Sequence, residues 1–335
     1  MISGIALVIF AAILQGVFLL PMSRARNWAW EHTWLAFSLA GMIIFNWSVF
    51  FMMLRASPTI LTALPLHNAF ILACFGVAWG IGALLFGWAM DALGLTLGYP
   101  LIMGLNASVG TFIPLLWLYG RAMFAGRRVF IVAGTAVAIV GIAVCSMAGA
   151  KRASAGHNMP NTSRVRFLRG LFSAIVSGFL SCLPNLGLFY GSHAIQASQP
   201  SISSSASANN AIWVIFLTFG GLINIGYCAW TIVHQKSSHL LFRRDCRVNW
   251  LWALAMGAMW ICSFYLYGAG VARTGSSGAT IGWPILISLS IAVGALCGVA
   301  LGEWDNAPAS AKKTLWTGLA LILLAVFMIP AGVPR

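Results

Sequence analysis

Acidic side chains are almost missing from this chain: Glu31, Asp91, Asp245, Glu303 and Asp305 are the only five in 335 residues. Charged residues of both signs make up 7%, against about 25% in an average soluble domain, while 60% of positions are hydrophobic. No soluble fold covers its surface with so few charges. Enzyme signatures are missing as well. There is no HExxH, no GxSxG, no P-loop and no GxGxxG opening a nucleotide fold. Their absence speaks against an ATP-driven pump and against a hydrolase with a familiar motif, so the chain reads as a non-enzyme without a cofactor. The seven cysteines, at 74, 145, 182, 228, 246, 262 and 297, stand singly, with no CxxC pair and no histidine at metal spacing. Six of them lie in apolar runs, where a thiol acts as a small hydrophobe, so neither disulfides nor a metal centre are expected.

What the chain does have is apolar runs long enough to cross a bilayer, which takes about 20 helical residues. Ten are counted, at 2–21, 33–54, 69–90, 97–119, 129–148, 170–190, 210–234, 250–271, 279–301 and 314–332. The first lacks a basic leader and a small-residue cleavage site, so it is expected to be retained as a span. The expected fold class is an all-α integral membrane protein with ten transmembrane helices.

One clearly hydrophilic connector, 151–169, separates a first part, 1–150, from a second, 170–335. Each part holds five spans. An internal repeat links them: Gly76, Trp79, Gly87 and Gly94 recur as Gly257, Trp260, Gly268 and Gly275, all offset by 181 residues. Pro100 and Gly110 recur as Pro284 and Gly294 at an offset of 184. Because five is odd, two halves of like fold must face opposite ways, giving two five-helix inverted-topology repeats of the kind found in secondary transporters.

The net charge of +14 sits between the spans, where Lys and Arg orient a chain against an anionic leaflet. The partner implied is the lipid bilayer and not nucleic acid. One side receives thirteen cations, Arg24, Arg26, Lys151, Arg152, Arg164, Arg166, Arg169, Lys236, Arg243, Arg244, Arg247, Lys312 and Lys313. The other receives six, Arg55, Arg121, Arg127, Arg128, Arg273 and Arg335. The richer side is expected to be cytoplasmic, which puts both termini outside. Composition gives no oligomeric state.

Candidate functional residues are the polar and aromatic ones at membrane depth, where an unsatisfied polar group costs several kcal/mol. In the fourth span, Asn106, Ser108 and Thr111 lie among Gly104, Gly110, Pro100 and Pro114. Proline and glycine weaken the helix ladder, so a broken helix lining a cavity is expected there, echoed in the ninth span by Ser288 and Ser290 between Pro284 and Gly294. Close helix packing through small residues is the competing reading of the same spacing. The repeat-matched Trp79 and Trp260, with Tyr265 and Tyr267 nearby, offer aromatic faces of the kind that stack on a sugar ring while Asn, Ser or Gln bond its hydroxyls. Gln15 and Asn46 are lone amides in the first and second spans, equally suited to a helix contact or a cavity. Glu31 and Glu303 are the proton-coupling candidates because they lie closest to the spans, with Asp91 at the end of the third. Both glutamates also suit interfacial anchoring beside an arginine. His67 and His193 lie at span edges and suit capping better than proton relay.

The motifs NWAWEHTW (Trp28, Trp30, Glu31, Trp34, with Pro21 upstream) and Trp79-Gly80-Ile81-Gly82, continuing through Gly87, Leu93, Gly94, Gly98, Gly104, Val109, Gly110, Thr111 and Pro114, resemble the bacterial L-rhamnose–proton symporter family of the drug/metabolite transporter superfamily. So do Met259, Trp260, Phe264, Tyr267, Gly270, Ala272 and Arg273, and the loop carrying Glu303, Trp304, Asn306 and Ala307. The resemblance runs nearly end to end. It implies ten helices, uptake of a deoxy-hexose such as L-rhamnose by alternating access, and a proton as coupling ion. Departures fall after Arg273, where the chain is smaller and less aromatic, at Ser263 in place of an amide, and at Asp91 in place of a basic residue. These positions bear on which sugar is carried. An exporter or exchanger of small metabolites on the same fold is the alternative.

Overall fold

The computed structural model describes residues 2–56, 64–154, 164–201 and 206–332. They form eleven α-helices and no strand: α1 Ile2–Val17, α2 Trp30–Ser38, α3 Asn46–Ala56, α4 Leu66–Tyr119, α5 Val129–Ser154, α6 Arg164–Ser181, α7 Leu183–Ser198, α8 Ala206–His234, α9 Arg247–Thr274, α10 Gly278–Ala300 and α11 Ala309–Ala331. Hydrocarbon offers backbone groups no partner, so a chain this apolar must satisfy them within helices. Ten segments among the described residues are long and apolar enough to cross a membrane, and each coincides with an expected run. This is an all-α membrane protein.

Three places depart from the pattern of one straight helix per span. The second joins α2 to α3 through a π-helix, Leu39–Phe45, where each hydrogen bond spans one residue more. The sixth turns at Cys182 between α6 and α7, just ahead of Pro184. The third and fourth spans share α4, whose 54 residues would reach about 81 Å if straight. They do not run straight. The Phe86 and Tyr99 rings stand 6.3 Å apart, so the chain doubles back between them.

The expected breaks in spans four and nine are absent, which corrects the sequence reading. Helix continues unbroken through 101–119 and through α10 despite Pro114 and Pro284. The reason lies in hydrogen bonds from elsewhere. Pro114 has no N–H for the Gly110 carbonyl one turn back, and Asn185 Nδ2 on α7 donates to that oxygen at 2.7 Å. The same amide donates to Ala279 O at 3.1 Å, one residue before Thr280, whose carbonyl is the one Pro284 leaves without a ladder donor. A freed carbonyl that finds a donor no longer forces the helix apart.

The helices pack as two compact units. Unit 1 takes Met1–Ile81 with Gly187–Gly275, and unit 2 takes Gly82–Leu186 with Ser276–Arg335. Each unit draws on both parts of the sequence. In unit 1, α1 packs along α9, and the second span packs on α8 and α9. In unit 2, α5 packs along α11 and α10. Small residues set these contacts. A Cβ at Gly141 would stand 2.9 Å from Ile322 Cγ1, and one at Gly318 would stand 2.6 Å from Cys145 Sγ, so α5 and α11 meet almost backbone to backbone.

Candidate functional site

In unit 1 the third span meets α8 through glycine. Gly76 and Gly80 lie one turn apart and face Gly220, and a Cβ at Gly80 would fall 2.7 Å from Gly220 O. This small-xxx-small contact brings the backbones together and lays the Trp79 ring over Gly220. Trp79 then stacks on Trp260 of α9, ring centroids 6.0 Å apart and planes inclined by 23°. The two repeat-matched tryptophans therefore meet.

Other rings extend the pair into a continuous aromatic wall. Trp260 contacts Phe264 at 4.5 Å and Phe37 at 5.5 Å, and Trp34 contacts Phe37 at 5.0 Å. Phe216 lies 5.8 Å from Trp79. Trp260 is 4% exposed, whereas Trp79 is half-buried and keeps part of its ring uncovered. Neither indole N–H donates a hydrogen bond among the described residues. Gly41, inside the π-helix, sits against Gly257, where a Cβ would come 3.1 Å from the opposing Cα. That close approach holds the second span against α9 beside Trp260.

Unit 1 also buries polar atoms. Gln15 Oε1, His32 Nδ1 and Ser38 Oγ are buried with no hydrogen-bond partner among the described residues. Gln15 lies one turn beyond Ala11, whose carbonyl accepts from Ser263 Oγ at 2.8 Å, so along the antiparallel α1–α9 pair it stands level with Met259 and Trp260. Glu31 is 8% exposed at the start of α2. The His32 Nε2 to Ser237 O distance is 3.1 Å, and because a carbonyl only accepts, Nε2 is the donor in that contact.

Several expected site residues prove to be committed inside the protein. Asn46 Nδ2 donates to Met42 O at 3.1 Å and Trp213 O at 3.2 Å, while its Oδ1 accepts from Tyr265 Oη at 2.9 Å. Those bonds tie the end of the π-helix to α8 and α9. Tyr267 is wholly buried. In unit 2, Asn106 Oδ1 accepts from Trp283 Nε1 at 3.1 Å, a bond between the fourth span and α10. Ser108, Ser288 and Ser290 turn their hydroxyls back onto the carbonyls of Gly104, Pro284 and Ile287. Thr111 differs: it is fully buried and its Oγ1 has no partner among the described residues.

Glu303 forms an exposed ion pair with Arg152 at 2.9 Å, and that guanidinium also lies over the Trp304 ring at 4.9 Å. Lys312 Nζ closes the turn by donating to Asp305 O at 3.0 Å. His193 Nδ1 bonds the Phe189 carbonyl at 2.8 Å, and His67 is exposed. The Asp91 side chain lies outside the described residues. Sequence reasoning missed His32, Ser38, Asn185 and Trp283. His32 and Ser38 sit three residues before and three residues after Leu35 and are buried with it in α2, a spacing that marks one helix face.

A ten-span helical bundle that buries an aromatic wall beside unpartnered polar atoms has the make-up of a membrane carrier. Comparison with known proteins narrows the class. A family model described as L-rhamnose-proton symport protein (RhaT) matches residues 1–334, and the chain belongs to that family. It is 24% identical over 333 residues to the L-rhamnose-proton symporter of Mannheimia succiniciproducens, covering 94% of this chain and 93% of that one. It is 26% identical over 356 residues to the L-rhamnose-proton symporters of Yersinia pestis and Yersinia pseudotuberculosis, covering 99% of this chain and 98% of theirs. The resemblance carried by the WGIG and NWAWEHTW motifs is borne out. The family is one of transporters and not of enzymes, and this chain is a multi-pass protein of the bacterial inner membrane.

Proposed function

We propose that this protein imports L-rhamnose, or a deoxy-hexose of similar shape, together with protons, by alternating access. The observation that carries the proposal is the Trp79–Trp260 stack with the unpartnered acceptor Gln15 Oε1 at the same level of the bundle. A deoxy sugar has an apolar C–H face and methyl group for the rings and hydroxyls for the acceptors. Ser38, in the same unit, supplies a further hydroxyl that lacks a partner among the described residues. Asn46 and Tyr265 then shape the surrounding wall of that unit through their internal bonds.

Of the two acids nearest the spans, Glu31 suits proton coupling better, because it is nearly buried while Glu303 is held at the surface by Arg152. The inverted repeat, residues 1–150 and 170–335 about a basic connector, is supported by the packing of matched glycines. Gly76 of the third span packs on the seventh span, and its partner Gly257 of the eighth packs on the second. The positive-charge bias supports cytoplasmic placement of the connector. The decisive test is uptake of radiolabelled L-rhamnose by proteoliposomes under an imposed pH gradient, with and without a protonophore. Sugar accumulation that collapses with the protonophore is expected. Absence of sugar-dependent proton movement in protein shown to be folded would overturn the proposal.

A further inference from the structure

Unit 2 contains a cavity at the end of α6. It measures about 380 Å³ and is lined by Trp88 and Ala92 at the end of the third span and by Arg166, Arg169, Gly170 and Ser173 of α6. Those four α6 residues follow the spacing of one helix face, so both guanidinium groups and the Ser173 hydroxyl serve the same wall. A Cβ at Gly170 would come 2.5 Å from that of Ala92 and 3.0 Å from Leu93 Cγ, so α6 rests directly on the third span and the cavity floor is fixed. Ser173 is 9% exposed, and Arg166 is also engaged within the protein. The segments 88–92 and 164–173 together carry three arginines and one acid, Asp91, a net charge of +2.

We propose that this cavity binds the phosphate-bearing headgroup of an anionic phospholipid. Guanidinium is the side chain best matched to phosphate, because it offers paired N–H donors in a planar fork. The cavity's surroundings select a lipid over a soluble anion. Trp88 is 56% exposed at its rim, and α6 also exposes Leu168, Phe172 and Phe179 at 51%, 69% and 49%. Their spacing of four and seven residues puts all three on one helix face, turned about 130° around α6 from the cavity-lining residues, so the cavity is flanked by apolar surface suited to an acyl chain. The positive cavity also belongs to the end of the chain's loops that the charge bias assigns to the anionic leaflet.

The test is native mass spectrometry of the full-length protein released from nanodiscs of phosphatidylcholine doped with phosphatidylglycerol. A guanidinium hydrogen bond to the phosphate contributes at least about fivefold in affinity, so R166A/R169A should retain phosphatidylglycerol about 25-fold less well than the unmodified chain. A variant losing the same charge elsewhere on that side, R24A/K313A, should change retention by less than about twofold. Inorganic phosphate at the lipid's concentration should not displace it. If the double variant fails to fold, R169Q is read instead, with a loss of about fivefold. Equal retention by variant and unmodified protein, equal loss in R24A/K313A, or full displacement by inorganic phosphate would each overturn the assignment.

Discussion

Gly220 gives the sharpest test of how the aromatic wall is built. A methyl group there would lie 2.6 Å from Trp79 Cε3 and 2.9 Å from both Trp79 Cζ3 and Gly76 O. Carbon atoms pack at about 3.5–4.0 Å, so the indole must retreat by about 1 Å. Its stack on Trp260 goes with it. Overpacking a tight helix contact costs about 1–3 kcal/mol, and a disturbed aromatic pair about 0.5–1.5 kcal/mol. Gly220→Ala should therefore lower the unfolding free energy by about 2–3 kcal/mol. Only the part of the clash borne by the ring disappears when the ring is removed. Gly220→Ala should accordingly cost about 1 kcal/mol less in a Trp79→Ala background than in the unmodified chain, the remainder coming from Gly76 O. Denaturant unfolding in mixed micelles of the four proteins of this cycle measures the difference. If the two costs add within about 0.5 kcal/mol, Gly220 does not seat the indole and the account of the wall fails.

Other substitutions test the remaining assignments. Trp79→Ala and Trp260→Ala should each raise the KM for L-rhamnose about tenfold at equal surface abundance, since about 1.4 kcal/mol of ring contact is withdrawn from the sugar; unchanged KM in both removes them from the binding site. Glu31→Gln should abolish accumulation driven by a pH gradient while leaving sugar counterflow intact, and accumulation at the unmodified level would discard it as the coupling group. Glu303→Gln should accumulate sugar normally and lose no more than about 1 kcal/mol of stability, because its ion pair with Arg152 is exposed. Asn185→Leu leaves the Gly110 carbonyl beside Pro114 without its side-chain donor, so a loss of about 1–3 kcal/mol in unfolding free energy is expected.

Span number and position were legible in the chain because hydrocarbon thickness dictates the length of each apolar run, and no tertiary contact alters that requirement. The tryptophan pair was legible too, through a spacing kept across 181 residues. What stayed hidden is the identity of the donors and acceptors that each polar group finds. Asn46 and Asn106 present the same amide as Gln15, yet Tyr265 and Trp283 take up their oxygens while Gln15 Oε1 has no partner among the described residues. A single sequence carries no record of such long-range pairing. The π-helix at 39–45 was hidden for a related reason, since it depends on Gly41 meeting Gly257 and on Asn46 bonding Met42 O, one contact distant and one local.

Proline and glycine show how the same residues carry a correct location and a wrong consequence. Pro114 and Pro284 do remove ladder bonds where the sequence says they should, and polar groups do gather there. Both helices nonetheless continue, and at Pro114 the reason is one amide, Asn185, which reaches the carbonyl that the proline frees. In water that repair would be optional. In hydrocarbon it is compulsory, since the other outcome is a bare carbonyl costing several kcal/mol. The irregular backbone appears instead in spans two and six, at the π-helix and at Cys182. The π-helix directly adjoins Ser38, whose hydroxyl is left without a partner among the described residues, and leads on through α2 to Glu31. The second span thus combines the yielding backbone, the nearly buried acid and the contact with Trp260, which makes it the element through which sugar binding and protonation are coupled in the proposed mechanism.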